Sequence, residues 1–149
     1  MLAITLHLLA AVIWVGGMFF AYMALRPAAG FLEPLMRLTL WSATFKRFFP
    51  WVWLSIITLL ASGFWLIKLS GGMGAVGPHV HIMLLLGIIM MLMFMHVFFA
   101  PHKKLGRAVK SQDWAAGAKA LNQIRLLIAI NLTLGLIVTV IGSAGQYYL

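Results

Sequence analysis

Four stretches of this chain are apolar for about 20 residues at a time, the length an α-helix needs to cross a hydrocarbon layer of about 30 Å. They cover residues 2–25, 48–67, 80–100 and 126–148. Inside lipid every backbone N–H and C=O must be satisfied within the protein, so a spanning segment is a helix or part of a closed barrel. The runs are continuously apolar instead of alternating, which selects helices. Their ends carry the expected punctuation: Arg26 and Pro27, Lys46 and Arg47, Lys68, the glycine-rich residues 71–78, Pro101, and Arg125. The expectation is an all-α integral membrane four-helix bundle, one domain over residues 1–149. A hydrophobic content of 64% with 9% charged residues agrees with it.

The connecting segments give the bundle a direction. Arg26, Arg37, Lys46 and Arg47 lie in the first and Lys68 alone in the second, whereas Lys103, Lys104, Arg107, Lys110, Lys119 and Arg125 lie in the third. The positive-inside rule puts the first and third loops in the cytoplasm and both termini and the glycine-rich loop on the outer face. The net charge of +9 flanks the spans instead of forming an arm or a folded basic face, so nucleic acid is not an expected partner. The opening Met1-Leu2-Ala3-Ile4 lacks a basic n-region, so the first span is read as retained. In the first loop Phe31, Leu35, Leu38, Trp41 and Phe45 recur at helical spacing; the pattern predicts either a short amphipathic helix in the headgroup layer or an ordered connector. Residues 111–119 are expected to form a short helix opened by Ser111.

Cysteine is absent, which removes disulfides, thiolate metal sites and covalently attached haem. Any cofactor must then be held by nitrogen, oxygen or thioether. Histidines within spans are the functional candidates. His7 lies about 28 Å of helix rise from Arg26, and His81 lies at a similar distance from Pro101, so the two share a depth near the outer face. On separate helices they could hold one haem or one metal ion. Ala10, Ala11, Trp14, Gly17, Met18 and Ala21 share the face of His7. His79 is displaced about 200° around its helix from His81; it is a further candidate ligand. His96 lies too deep for the same site and is expected to hydrogen-bond Asn131, with a second metal site as the alternative. His102 is expected to be solvated.

Met90, Met91, Met93 and Met95 crowd the third span; a copper(I) relay and simple packing both use thioethers, and packing is the expected role. Ser55, Thr58 and Ser62 on the second span, and Asn131, Gly135, Thr139, Gly142 and Gln146 on the fourth, read as interhelical seams. Trp51, Trp53, Trp65, Tyr147 and Tyr148 read as interfacial belts.

The order of several short motifs resembles the CopD-like group of bacterial membrane proteins and, in pattern, the HemJ-type protoporphyrinogen oxidases. These are Leu6-His7-x6-Trp14-x-Gly16-Gly17, Arg47-x-x-Pro50 with Gly63, His81-Ile82-x-Leu84 with His96, and Asn122-x-x-Arg125. The resemblance implies a four-helix bundle in the bacterial inner membrane, which would put the outward-facing termini in the periplasm. Its HemJ-like branch implies b-type haem ligands at His7 and His81, and its copper branch implies copper uptake or delivery. HemJ-like proteins tend to carry a lysine where this chain has Met83, a departure that speaks against porphyrinogen oxidation.

The leading expectation is a membrane-embedded cytochrome-like protein, an oxidoreductase in reaction class if it is an enzyme. His7 and His81 hold haem b, and Trp14, Met18, Met83 and Ala11 form the pocket. Its expected partners are the lipid bilayer and a quinone, an outer-face redox protein or a second copy in a homodimer. Three rivals stand beside it. One is copper(I) uptake or resistance transport through His7, His79, His81 and methionines, one is a protoporphyrinogen oxidase-like enzyme, and one is a cofactor-free structural subunit.

Overall fold

The computed structural model describes residues 1–148, apart from the side chains of Gln146 and Tyr148, which lie outside the described residues together with the seam and belt roles expected of them. Four long helical columns are each apolar and long enough to cross a membrane: Leu2–Phe31, Pro34–Leu69, Pro78–Lys110 and Trp114–Gly145. The first comprises α1 (Leu2–Phe19), a π-helical turn (Phe20–Leu25), the single-turn α2 (Arg26–Ala28) and a 3-10 turn (Ala29–Phe31). The second is one helix, α3 (Pro34–Leu69). The third is α4 (Pro78–Phe99) continued by α5 (Pro101–Lys110), and the fourth is α6 (Trp114–Tyr148). Met1, the glycine-rich loop and Tyr147 lie at one end of the bundle, called here the terminal end. The loops rich in lysine and arginine lie at the other, the basic end.

Local chemistry sets the breaks. Glu33 and Gly77 are extended and each is followed by proline at the first helical position, where a missing N–H costs nothing. α3 ends in a Schellman motif: Gly71 has φ +97°, its N–H reaches the Lys68 carbonyl, and Gly72 N–H reaches Ile67. α5 ends the same way with Gln112 at φ 57°, and Asp113 N–H bonds the Ala108 carbonyl at 2.9 Å. Asp113 then caps α6, its Oδ1 accepting the Ala116 N–H at 3.0 Å. The helix expected over residues 111–119 is therefore the first turn of α6, opened by Asp113; Ser111 closes α5. Between α4 and α5 the column bends at Ala100, φ −111° and ψ −86°, because the Pro101 ring and missing N–H interrupt the ladder.

α1 packs chiefly on α3 and α4 on α6, while α5 lies against α6 and α3. The most deeply buried large side chains gather toward the basic end: Leu38, Trp41, Phe45, Leu105, Leu121 and Ile124. Lipid tails are as apolar as leucine and give little drive for helix association, so tight apolar packing is most effective where the helices emerge into water. This corrects the reading of the first loop. Residues 34–47 are not a separate interfacial helix; they extend the second span as one 36-residue helix whose stripe Leu38, Trp41, Phe45, Phe49, Val52 and Ile56 is buried in the core. Pro50 sits inside that helix without ending it.

Candidate functional site

His7, on the second turn of α1, is half-buried against α3, and its Nδ1 lies 2.9 Å from Ser62 Oγ. Ser62 has one hydroxyl proton, which it donates to the Thr58 carbonyl. Its oxygen is thus left to accept from His7, so Nδ1 carries the hydrogen and Nε2 keeps a bare lone pair. A partner on the second ring nitrogen that fixes the tautomer is the arrangement found around metal-binding imidazoles. Gly63 makes room for the ring, since a methyl there would stand 3.3 Å from His7 Cε1. Ser62 is 2% exposed, so its hydroxyl is committed to this pair of bonds. The sequence placed Ser62 on an interhelical seam but not opposite His7; the match in depth between the two residues was the available signal.

His81 is exposed near the start of α4, and His79 is half-buried with a buried Nδ1 that has no hydrogen-bond partner. Below His79, Met83 and Met90 continue the same edge of α4. All three meet glycines of α6: a Cβ on Gly145 would lie 2.6 Å from His79 Cβ, one on Gly142 2.9 Å from Met83 Cε, and one on Gly135 3.1 Å from Met90 Cε. One imidazole and two thioethers thus line a single seam, with rises of about 6 Å and 10 Å between successive donors. Gly135 also meets Val15 of α1 at 3.0 Å. Counting helix rise outward from that level puts His7 and Met83 at a common depth, His7 against α3 and Met83 against α6. Of the expected pocket residues, Ala11 is half-buried, while Trp14 and Met18 are 2% and 3% exposed and belong to a different place in the bundle.

That place is a cavity of about 140 Å³ nearer the basic end, whose wall includes Trp14, Gly17, Met18, Phe48, Phe94 and Asn131. Neither His7 nor His81 lines it. Asn131 is 5% exposed and donates from Nδ2 to the Met90 carbonyl at 3.3 Å, leaving Oδ1 buried and unpartnered. The expected His96–Asn131 bond is therefore replaced: the Met90 carbonyl sits on the face that α4 turns to α6, whereas His96 is on the exposed face. His102 also departs from expectation. It is half-buried, its ring 4.7 Å from that of Phe49 and 5.8 Å from that of Phe98, because the bend at Ala100 swings α5 back over α3. Trp53 belongs to the same aromatic cluster, 5.4 Å from Phe94, instead of to an interfacial belt. Among the described residues no three His, Asp or Glu side chains converge as a metal-binding group.

The fold and its polar interior define a multi-pass helical membrane protein with soft donor atoms in a helix seam. The family model described as copper resistance protein D, CopD, matches residues 42–144. The chain belongs to the CopD family. No curated protein and no solved structure gave a match.

Proposed function

We propose that this protein handles copper(I) within the membrane, accepting the ion at the terminal end and passing it inward along the α4–α6 seam. The observation that carries the reading is the alignment of His79, Met83 and Met90 over Gly145, Gly142 and Gly135, in a chain of a family described by copper resistance. Thioether and imidazole suit a soft monovalent ion. The two acidic residues, Glu33 and Asp113, both lie at the basic end, so a hard divalent cation would find no carboxylate in the seam. His7, with Nε2 bare and at the depth of Met83, is a further donor outside the seam, at the contact of α1 with α3. The loop charges support an orientation with the termini and the glycine-rich loop outside the inner membrane, so that His79 meets incoming copper first.

The haem reading has one observation in its favour, the bare Nε2 of His7. Against it, the second imidazole, His81, is exposed, and the cavity holding Trp14 and Met18 lies elsewhere. Titration with copper(I) against a chromogenic copper(I) chelator tests the copper reading. The wild-type protein is expected to withdraw copper(I) from the chelator, and the His79→Ala/Met83→Leu protein to bind at least tenfold more weakly. Equal affinity in the two proteins overturns the proposal. So does a Soret band in the purified protein that disappears in His7→Ala and His81→Ala.

A further inference from the structure

Arginines from three separate helices meet at the basic end. Arg26 opens α2, Arg37 closes the first turn of α3, and Arg125 lies on α6 where the apolar part of the fourth column begins. Packing brings these elements together. The first turns of α3 lie against those of α6, with Leu38 Cδ1 3.1 Å from the place a Cβ would take on Gly117, and α6 also touches the π-helical turn that leads into Arg26. The Arg125 guanidinium stands 5.4 Å from the centroid of the Trp41 ring, one turn along α3 from Arg37. Arg26 and Arg37 are near enough for their charges to act on Arg125. Of the chain's two carboxylates, Asp113 is engaged at the cap of α6 and Glu33 is exposed.

Three like charges side by side at the edge of a low-dielectric layer repel one another. The fold holds them there nonetheless, Arg125 over Trp41 and Arg26 over the Tyr22 ring at 4.7 Å. Of the Arg125 nitrogens, Nε is enclosed and unpartnered, whereas the terminal pair keeps contact with the surroundings. Guanidinium forks match the oxygens of a phosphate group and bind them in pairs. Depth says where that phosphate comes from. Arg26 directly follows the first apolar run and Arg125 directly precedes the fourth, so the cluster sits at the level of the lipid headgroups. Met23 and Leu126, exposed beside these two arginines, offer apolar surface to acyl chains. We propose that Arg26, Arg37 and Arg125 form a site for the phosphates of an anionic phospholipid in the leaflet at the basic end. Three cations match a headgroup with two phosphates, as in cardiolipin, better than one with a single phosphate.

The test uses the full-length protein, delipidated in detergent and free of copper, so that its outcome is independent of the copper reading. Cardiolipin, phosphatidylglycerol, phosphatidylcholine and inorganic phosphate are added separately, and binding is followed by native mass spectrometry and by the rise in unfolding temperature. A single cardiolipin is expected to bind about tenfold or more tighter than phosphatidylcholine, the difference made by charge-assisted hydrogen bonds, with phosphatidylglycerol between them. Arg26→Gln and Arg37→Gln are each expected to cut that preference about fivefold. Arg125→Lys keeps the charge but loses the fork, and is expected to cut it as far. Lys103→Gln/Lys104→Gln, which removes charge from α5 at the same end, is expected to change it by less than about twofold, since charges outside the site are screened. Equal affinity for the three lipids, an unchanged preference in the arginine variants, or an equal loss in the lysine variant each overturns the assignment. Stabilisation by inorganic phosphate as strong as that by cardiolipin gives the site to a free anion and overturns the lipid source. The comparison of lipids needs no variant, so it stands even if a substituted chain misfolds.

Discussion

The Ser62 hydroxyl decides which nitrogen of His7 is free. Its proton is committed to Thr58, and a hydroxyl that has given its proton can only accept, so the imidazole is held in one tautomer before any ligand arrives. In Ser62→Ala the Nδ1 hydrogen loses its partner in a part-buried site, a cost of about 1–3 kcal/mol. The ring is then expected to populate the other tautomer. Histidine ¹⁵N chemical shifts of the protein in micelles read this directly: a single Nδ1–H pattern for His7 in the wild type and a mixed pattern in Ser62→Ala. An unchanged pattern would mean that the ring takes its orientation from Gly63 and not from the serine.

At the scale of elements, glycine positions on α6 determine how closely α4 approaches. The three contacts differ in what would have to yield. At Gly145 the opposing atom is the His79 Cβ, fixed to the backbone, whereas at Gly142 it is the end of the flexible Met83 side chain. Gly145→Ala is therefore expected to push the first turns of α4 away and to destabilise the protein by about 1–3 kcal/mol. Gly142→Ala is expected to cost well under that, since Met83 can change rotamer. Thermal unfolding of both variants in the same detergent checks the ordering. The seam residues Gly135 and Gly142 were legible from the fourth span's spacing. Their partners on α4 were not, because hydropathy gives each helix a depth but no rotation about its axis. For the same reason His79 faces the seam and His81 does not, although both lie in the first turn and a half of α4.

For the whole molecule, the absence of cysteine makes the topology open to a clean measurement. Single cysteines at Gly74 and at Lys104, both exposed, are expected to differ in intact cells. A membrane-impermeant maleimide should label Gly74→Cys from outside and reach Lys104→Cys only after lysis. The reverse pattern would invert the bundle and put the His79 end of the seam in the cytoplasm. The same division of ends accounts for the placement of the core. Buried large side chains concentrate at the basic end, where α3, α5 and α6 extend beyond the apolar windows and water can drive them together.

The apolar runs, their breakers and the loop charges determined four helical spans and an expected direction, because chain length against bilayer thickness and the cost of unpaired backbone in lipid leave few alternatives. They also singled out His7 and two glycines of the fourth span, Gly135 and Gly142. Tertiary structure decided what those residues meet. It joined residues 34–47 to the second span, because Leu38, Trp41 and Phe45 find a core to bury in where sequence alone offered a membrane surface or an ordered connector. It also turned Asn131 toward Met90 and opened a chamber beside it, since neither the rotation of a helix nor the space left between helices is encoded in the hydropathy of any one segment.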